Sequence, residues 1–333
     1  MTVKRVKNQL IQLVVGVSIS MSAVVANAAI QPPEMDNTAY VLMDYNTGEI
    51  LAQKNANEAL PPASLTKMMT SYIIEQRLAS GDLKEDEQVL MSPNAWCRGS
   101  SSQSCMYVPV NKTASVIDML RGIIIQSGND ASKAMAEHIA GSEASFAILM
   151  NEQAQKIGME NSNFVNATGM PDEGHLASAL DLSKLARAII KNSGDYYSIY
   201  AEKEFTYNGI TQGNRNALLI TDPTVDGLKT GHTDAAGYCL VASSNREGMR
   251  LISVIMGTKS QQARADQSRE LLNWGFGHFT TVTKAPAGQF VSKLPVWFGE
   301  ADEVELATGD NLQILTSKTQ KNKITTVVDI PES

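Results

Sequence analysis

The sequence predicts an α+β fold built on one antiparallel sheet, with a small all-β region behind it. Three observations lead there. Strand-like apolar runs bounded by turn signals occur near the start, over Thr38 to Lys54, and again over residues 224–257. Between them, apolar residues recur at helical spacing. From about Thr281 the pattern changes to short β-like runs. The economical packing joins strands from both ends of the main body into one sheet and covers it with helices.

The first residues read as an export signal. Lys4, Arg5 and Lys7 form a basic end, Leu10 to Val25 is apolar or small without charge, and Ala26-Asn27-Ala28 fits a small-x-small cleavage site. That predicts a secretory signal peptide over residues 1–28, cut after Ala28, since the apolar run is short for a membrane span. A mature chain of about 305 residues is long enough for one large domain, 29–280, and a small one, 281–333.

Within the large domain, Tyr40-Val41-Leu42-Met43 and Glu49-Ile50-Leu51-Ala52 flank a turn at Tyr45-Asn46-Thr47-Gly48, the pattern of a hairpin. Pro61 and Pro62 oppose a helix running in from the left. Leu65, Met68, Met69, Tyr72 and Ile73 then mark a helix that runs to about Ser80-Gly81. Residues 82–114 are polar and loop-rich. Ser115 to Gln126 reads as a second helix, stopped at Ser127-Gly128-Asn129; a third follows, with Asp130 placed to cap it, and ends near Gly141. Residues 144–157 and 178–191 are helical in pattern, and Glu204 to Gln212 is a hairpin around Asn208-Gly209. Val225 to Thr230, Tyr238 to Ala242 and Met249 to Met256 are strands, and Gln262 to Trp274 is a closing helix. The last runs, Gln289-Phe290-Val291, Val296-Trp297-Phe298, Leu312 to Leu315 and Ile324 to Val328, give a small β domain with few residues for a core of its own.

Composition excludes several functions. Net charge is −7 with both signs mixed along the chain, which argues against a nucleic-acid binder. Three cysteines fit an oxidising compartment but not a disulfide scaffold. Cys97 and Cys105 flank a short polar loop and are either bonded or two free thiols; Cys239, in an apolar run, reads as core. The four histidines show no H-x-x-x-H or H-E-x-x-H spacing, so no metal site is expected.

Three short motifs carry chemistry. Ser64-Leu65-Thr66-Lys67 puts a hydroxyl and an amine on one helical face, one turn apart. A serine hydroxyl needs a base to become a nucleophile, and a lysine whose pKa is lowered can be that base. The same pattern also fits a surface serine and lysine. Ser127-Gly128-Asn129, at a break between helices, can present a hydroxyl and an amide to a cleft, or simply cap a helix; S-x-N recurs at Ser92-Pro93-Asn94 and Ser243-Ser244-Asn245. Lys229-Thr230-Gly231 occurs once, in a strand, and offers a cation and a hydroxyl to a carboxylate; Gly231 would let a ligand backbone approach the strand edge.

Together and in this order, the three motifs resemble those of the penicillin-recognising serine enzymes. Within that superfamily the chain is similar to the low-molecular-mass penicillin-binding proteins that are D-alanyl-D-alanine carboxypeptidases, over about residues 34–300. The resemblance rests on Pro62 to Thr70, Gln126 to Ala131 and Val225 to Thr233. It implies a β-lactamase/transpeptidase-like domain, a five-stranded antiparallel sheet between helical layers, followed by a β-rich domain that here is shorter than in relatives. Relatives end in an amphipathic membrane-anchoring helix. This chain stops at Pro331-Glu332-Ser333 without an amphipathic stretch, which leaves membrane attachment open. The implied location is the periplasm or the outer face of the cytoplasmic membrane.

The resemblance also implies roles. Ser64 attacks the penultimate D-alanine carbonyl of a peptidoglycan stem and becomes an acyl-enzyme, or is acylated by a β-lactam. Lys67 is the base, Ser127 relays a proton to the leaving amine, and Lys229 keeps Lys67 neutral by like-charge repulsion. Asn129 binds the substrate amide. Thr230, with Arg215, holds the terminal carboxylate. The N–H groups of Ser64 and His232 form the oxyanion hole, Gly231 lies at the strand edge, and Arg264 also matches the family. No cofactor is implied. Two other readings share the motifs, a β-lactamase and a non-catalytic penicillin-binding sensor. Class A β-lactamases carry E-x-x-L-N, whose nearest match here, Glu204 to Asn208, falls in the expected hairpin.

Overall fold

The computed structural model describes residues 30–97, 103–295 and 303–323 of the 333-residue chain. The expected signal peptide, Val296-Trp297-Phe298 and Ile324 to Val328 lie outside the described residues.

Strands β1 (Ala39–Asp44) and β2 (Ile50–Lys54) form the first hairpin. A 3-10 turn, Ala63–Thr66, leads into α1 (Lys67–Ser80). A short pair, β3 (Gln88–Leu90) and β4 (Thr113–Ser115), precedes α2 (Val116–Ile124), α3 (Asn129–Ala140), α4 (Glu143–Lys156) and α5 (Ala179–Asn192). Another 3-10 stretch, Gly194–Ala201, leads to the hairpin β5 (Glu204–Tyr207) and β6 (Ile210–Gly213), then to the single turn α6 (Leu218–Thr221). The strands β7 (Val225–Thr233), β8 (Gly237–Arg246) and β9 (Met249–Thr258) follow, and α7 (Gln261–His278) closes the large domain. Beyond it lie β10 (Phe279–Ala285), β11 (Phe290–Pro295), β12 (Glu303–Ala307) and β13 (Leu312–Ser317), paired as β10 with β13 and β11 with β12.

Serines set four of the helix starts. Ser115, Ser142, Ser178 and Ser260 each accept a backbone N–H three residues on, which satisfies one orphan donor of the first turn. Helices α1 and α3 have no side-chain cap, and theirs are the N-terminal turns that adjoin Ser64 and Ser127. The expectation that Asp130 caps α3 is not met. Gly128 is the N-cap, and the Asp130 carboxylate instead accepts N–H bonds from Met106 and Tyr107, both at 2.8 Å.

The main sheet runs β2-β1-β9-β8-β7, antiparallel throughout, so β1 from one end of the domain pairs with β9 from the other. Successive side chains of a strand face opposite ways. Val41 and Met43 pack with α1, α2, α3 and α5, while Tyr40 and Leu42 pack with Leu271, Leu272 and Phe276 of α7. Both faces are covered, which is why all six residues of β1 are buried and its first five, Ala39 to Met43, are apolar without alternation. Each fully buried aliphatic side chain contributes on the order of 1.5–3 kcal/mol. The two cores together hold the sheet rigid, with β7 as the edge strand facing the 3-10 turn that carries Ser64.

Candidate active site

The nucleophile turn is shaped by its neighbours. Ala63 is held at φ +48°, a conformation uncommon for a residue with a side chain. Helix α1 begins at Lys67 rather than before Ser64, so Ser64 projects from the tighter 3-10 turn. The i,i+3 spacing still works: Lys67 Nζ lies 3.1 Å from Ser64 Oγ. Lys67 Nζ also donates to the Thr168 carbonyl at 2.6 Å, and the lysine side chain has no exposed surface.

Two glycines let this turn seat. A Cβ on Gly231 would lie 3.0 Å from the Pro62 carbonyl oxygen and 3.2 Å from Leu65 Cγ. Glycine there is therefore required by the close approach of the nucleophile turn to β7, and Gly231 also lines the cleft. On the other side, a Cβ on Gly169 would lie 1.8 Å from the Ala63 carbonyl oxygen, and Gly169 has φ +82°. Gly169→Ala meets both a backbone clash and a disfavoured φ. It should lower the unfolding free energy by roughly 3 kcal/mol or more and reduce β-lactam acylation of the folded fraction, read by denaturant titration and labelling. An unchanged denaturation midpoint would show that the Ala63 turn is not clamped there.

Ser127 sits between α2 and α3 with φ +60°, again a left-handed residue without glycine's freedom, and is 2 % exposed. The segment 103–108 fixes this turn. Ser104 carbonyl accepts the Asn129 N–H at 2.8 Å, and Gln103 Oε1 accepts from Asn129 Nδ2 at 3.1 Å. Cys97 and Cys105 are disulfide-bonded, which resolves the choice the sequence left open and ties this segment to the chain before it. Residues 98–102 of that loop lie outside the described residues. Cys239 is a fully buried free thiol, as expected.

On the opposite wall, β7 carries Lys229, Thr230, Gly231 and His232. Lys229 is 3 % exposed and its Nζ donates to the Thr230 carbonyl at 3.2 Å. His232 is exposed and stacks on Tyr238, with ring centroids 3.9 Å apart. Arg264 lies over the same Tyr238 ring and donates to the Gly231 carbonyl at 3.1 Å, so it braces β7 from α7. Arg215 makes no hydrogen bond or ion pair among the described residues. A cleft of about 940 Å³ brings Ser64, Ser127, Asn129 and Arg215 together with Thr230, Gly231, His232 and Arg264. Lys67 and Lys229 are buried in its walls.

The electrostatics follow from that burial. Lys67 is pulled down to about 7, first by burial and then by the nearby Arg215 cation, against the opposing pull of Asp130 and Glu143. Lys229 is held well below its ordinary value by burial, then by Lys67, Arg215 and Arg264. Like-charge repulsion is therefore present, between Lys67 and Arg215 and between Lys67 and Lys229, and burial outweighs it.

A model of the D-alanyl-D-alanine carboxypeptidase family matches residues 26–260. The chain belongs to the D-alanyl-D-alanine carboxypeptidase family. A second model, for the C-terminal domain of penicillin-binding protein 5, matches residues 279–333. The chain is 43% identical over 286 residues to the D-alanyl-D-alanine carboxypeptidase DacA of Escherichia coli (strain K12), covering 85% of this chain and 71% of that one. Crystal structures of penicillin-binding protein 5 from Haemophilus influenzae superpose with a TM-score of 0.81 at 41% identity, covering 88% of this chain and 86% of that one. The ampicillin-bound form of penicillin-binding protein D2 from Listeria monocytogenes gives 0.67 at 28% identity, covering 74% of this chain and all of that one, 100%. For this family member the sheet and small all-β region match the fold expected from sequence.

Sequence reasoning missed the loop 166–175 that supports the lysine. Asn166 Oδ1 accepts from the N–H groups of Thr168 and Gly169, at 3.1 and 2.8 Å, and so aims the Thr168 carbonyl at Lys67. Glu143 Oε1 accepts the Ala167 N–H at 3.0 Å. His175 Nδ1 accepts the Val165 N–H, so Nε2 carries the proton and donates to Thr66 Oγ1 at 2.7 Å. Burial lowers His175 to about 4, which keeps it neutral. None of this has a local spacing signal, because the partners lie about 100 residues from α1 in sequence.

Proposed function

We propose that this chain is a serine-type carboxypeptidase that removes the terminal D-alanine from peptidoglycan stems ending in D-Ala-D-Ala, and that β-lactams acylate the same serine. One observation carries the reading: a buried lysine, with its pKa near 7, lies 3.1 Å from the serine hydroxyl in a cleft that also holds the guanidinium of Arg215. Lys67, as the free amine, takes the Ser64 proton while Ser64 Oγ attacks the penultimate D-alanine carbonyl. The developing oxyanion lies against the N–H groups of Ser64 and His232. Ser127 passes the proton to the departing amine as the C–N bond breaks, and Asn129 holds the substrate amide. Water then cleaves the Ser64 ester and frees the shortened stem. The chain acts after export, in the periplasm or at the outer face of the cytoplasmic membrane. Its domains divide at about residue 280, behind a signal peptide over residues 1–28. No helix among the described residues is long and apolar enough to cross a membrane.

The deciding experiment is incubation with a diacyl-Lys-D-Ala-D-Ala peptide and measurement of free D-alanine. Release supports the proposal; a stable acyl-enzyme without release would favour a penicillin-binding sensor. The β-lactamase alternative has no support in the fold, since Glu204 to Tyr207 pair with β6 and none of them lines the cleft.

Carboxylate recognition has its own test. Arg215 makes no hydrogen bond or ion pair among the described residues, while Lys229 is buried and bonded to a carbonyl. Arg215→Gln should lower kcat/KM on the free acid by about 10- to 100-fold, the scale of one charged hydrogen bond, and much less on the C-terminal amide. Lys229→Ala should slow both substrates, because it also changes the surroundings of Lys67. Equal losses for acid and amide in Arg215→Gln would move recognition to Thr230 and Lys229.

A further inference from the structure

Residues 103–108 are built onto the turn that carries Ser127 and Asn129. The Asp130 carboxylate accepts the N–H groups of Met106, Tyr107 and Val108. Gln212 Nε2 donates to the Cys105 carbonyl at 2.9 Å, and the disulfide to Cys97 anchors the same residue. A Cβ on Gly128 would lie 3.1 Å from the Met106 nitrogen, so the segment runs directly over the turn. All of these contacts fix backbone. One contact from this segment reaches the Asn129 side chain: Gln103 Oε1 accepts from Asn129 Nδ2 at 3.1 Å. Among the described residues it is the only hydrogen bond that side chain makes. Gln103 and Asn129 both line the catalytic cleft.

A side-chain amide in a cleft needs such a partner. Turning the Asn129 amide over exchanges its oxygen and nitrogen with almost no change of shape, so packing alone does not choose between the two orientations. An acceptor on one side does choose, because it draws Nδ2 toward itself. Oδ1 and the second Nδ2 hydrogen are then left for the cleft, one acceptor and one donor. A peptide group offers the matching pair, an N–H and a C=O.

We propose that Gln103 is a positioning residue: through Oε1 it holds the Asn129 amide in the orientation that meets the peptide group on the acyl side of the scissile bond, and so makes the enzyme select ligands whose amine at that place is acylated. This rests on the carboxypeptidase reading above and adds to it the residue that orients Asn129.

The test compares acylation by benzylpenicillin and by 6-aminopenicillanic acid. Both bring the same strained ring to Ser64. In benzylpenicillin the amine on the carbon beside the attacked carbonyl is acylated, as the D-alanine amine is in a stem peptide; in 6-aminopenicillanic acid it is free. Gln103→Met keeps the length and removes the acceptor. It should slow benzylpenicillin by about ten-fold, the scale of one hydrogen bond, and 6-aminopenicillanic acid by about two-fold or less. Gln103→Glu keeps an acceptor and should restore the benzylpenicillin rate to within about three-fold of the parent. Rates are read on the high-pH plateau, because an added carboxylate also raises the pKa of a nearby lysine. Equal slowing of the two β-lactams in Gln103→Met, an unchanged benzylpenicillin rate, or a Gln103→Glu variant as slow as Gln103→Met overturns the proposal. Failure of the parent enzyme to release D-alanine from the diacyl-Lys-D-Ala-D-Ala peptide removes the carboxypeptidase reading instead, and the two acylation rates still decide the role of Gln103. A parent enzyme acylated by neither β-lactam removes both.

Discussion

Ser64→Ala should abolish D-alanine release and covalent labelling by a fluorescent penicillin while the protein stays folded. The expected loss of activity is complete within detection, because among the described residues Ser64 is the serine that Lys67 Nζ contacts, at 3.1 Å. The cost to stability should be small, about 1 kcal/mol or less. Ser64 is half-buried in a 3-10 turn whose shape is set by Ala63, Gly169 and Gly231, and its hydroxyl fills no core position. Intact mass spectrometry after penicillin treatment and a thermal melt report the two halves of this prediction together. Covalent adduct on a folded Ser64→Ala protein would move the nucleophile elsewhere, with Ser127 the first residue to examine.

Local pattern made the fold legible. The ends of strands β1, β7, β8 and β9 and of helices α2, α4 and α5 lie within four residues of the stretches read from apolar spacing and turn signals. Those signals are short-range, so one sequence carries them. The edge position of β7 and the pairing of β1 with β9 were inferred only as strands from both ends meeting in one sheet. The three motifs were legible for the same reason: each is a contiguous run of three or four residues. What failed was whatever depended on distant partners. Asp130 looked like a helix cap because capping is a local pattern, yet three backbone N–H groups of residues 106–108 take its carboxylate. The crossing of Pro62 over Gly231 was not legible either, because the two lie far apart in the sequence. The action of Arg215 on Lys67 was missed because Arg215 reaches it through the fold, from a loop with no motif of its own. Strand β12 was missed as well; its alternation of Glu and aliphatic residues is mostly exposed and has no apolar run to mark it.

Lys67→Arg should lose acylation by about three orders of magnitude or more, the scale of removing a catalytic base. Arginine keeps the positive charge and much of the length of lysine but stays protonated at any working pH, so it cannot accept the Ser64 proton. The companion measurement is the pH profile of acylation in the parent enzyme. Lys67 is lowered to about 7, so its ammonium form predominates below that pH and the free amine above it. Only the amine is a base; hence acylation should rise with pH, reach half its maximum near pH 7, and level off well below the unperturbed lysine value of about 10.4. The direction of the Arg215 effect can be read in the same way. That cation favours the neutral amine, so Arg215→Gln should raise the Lys67 pKa and move the midpoint to higher pH, whatever it does to the plateau. A profile that is flat between about pH 6 and about pH 9, together with near-parent acylation in Lys67→Arg, would place the base on Ser127 or on a water. A rising profile whose midpoint stays fixed in Arg215→Gln would keep Lys67 as the base and assign its lowered pKa to burial alone, the larger of the two causes, in the wall that Thr168 and its loop build around it.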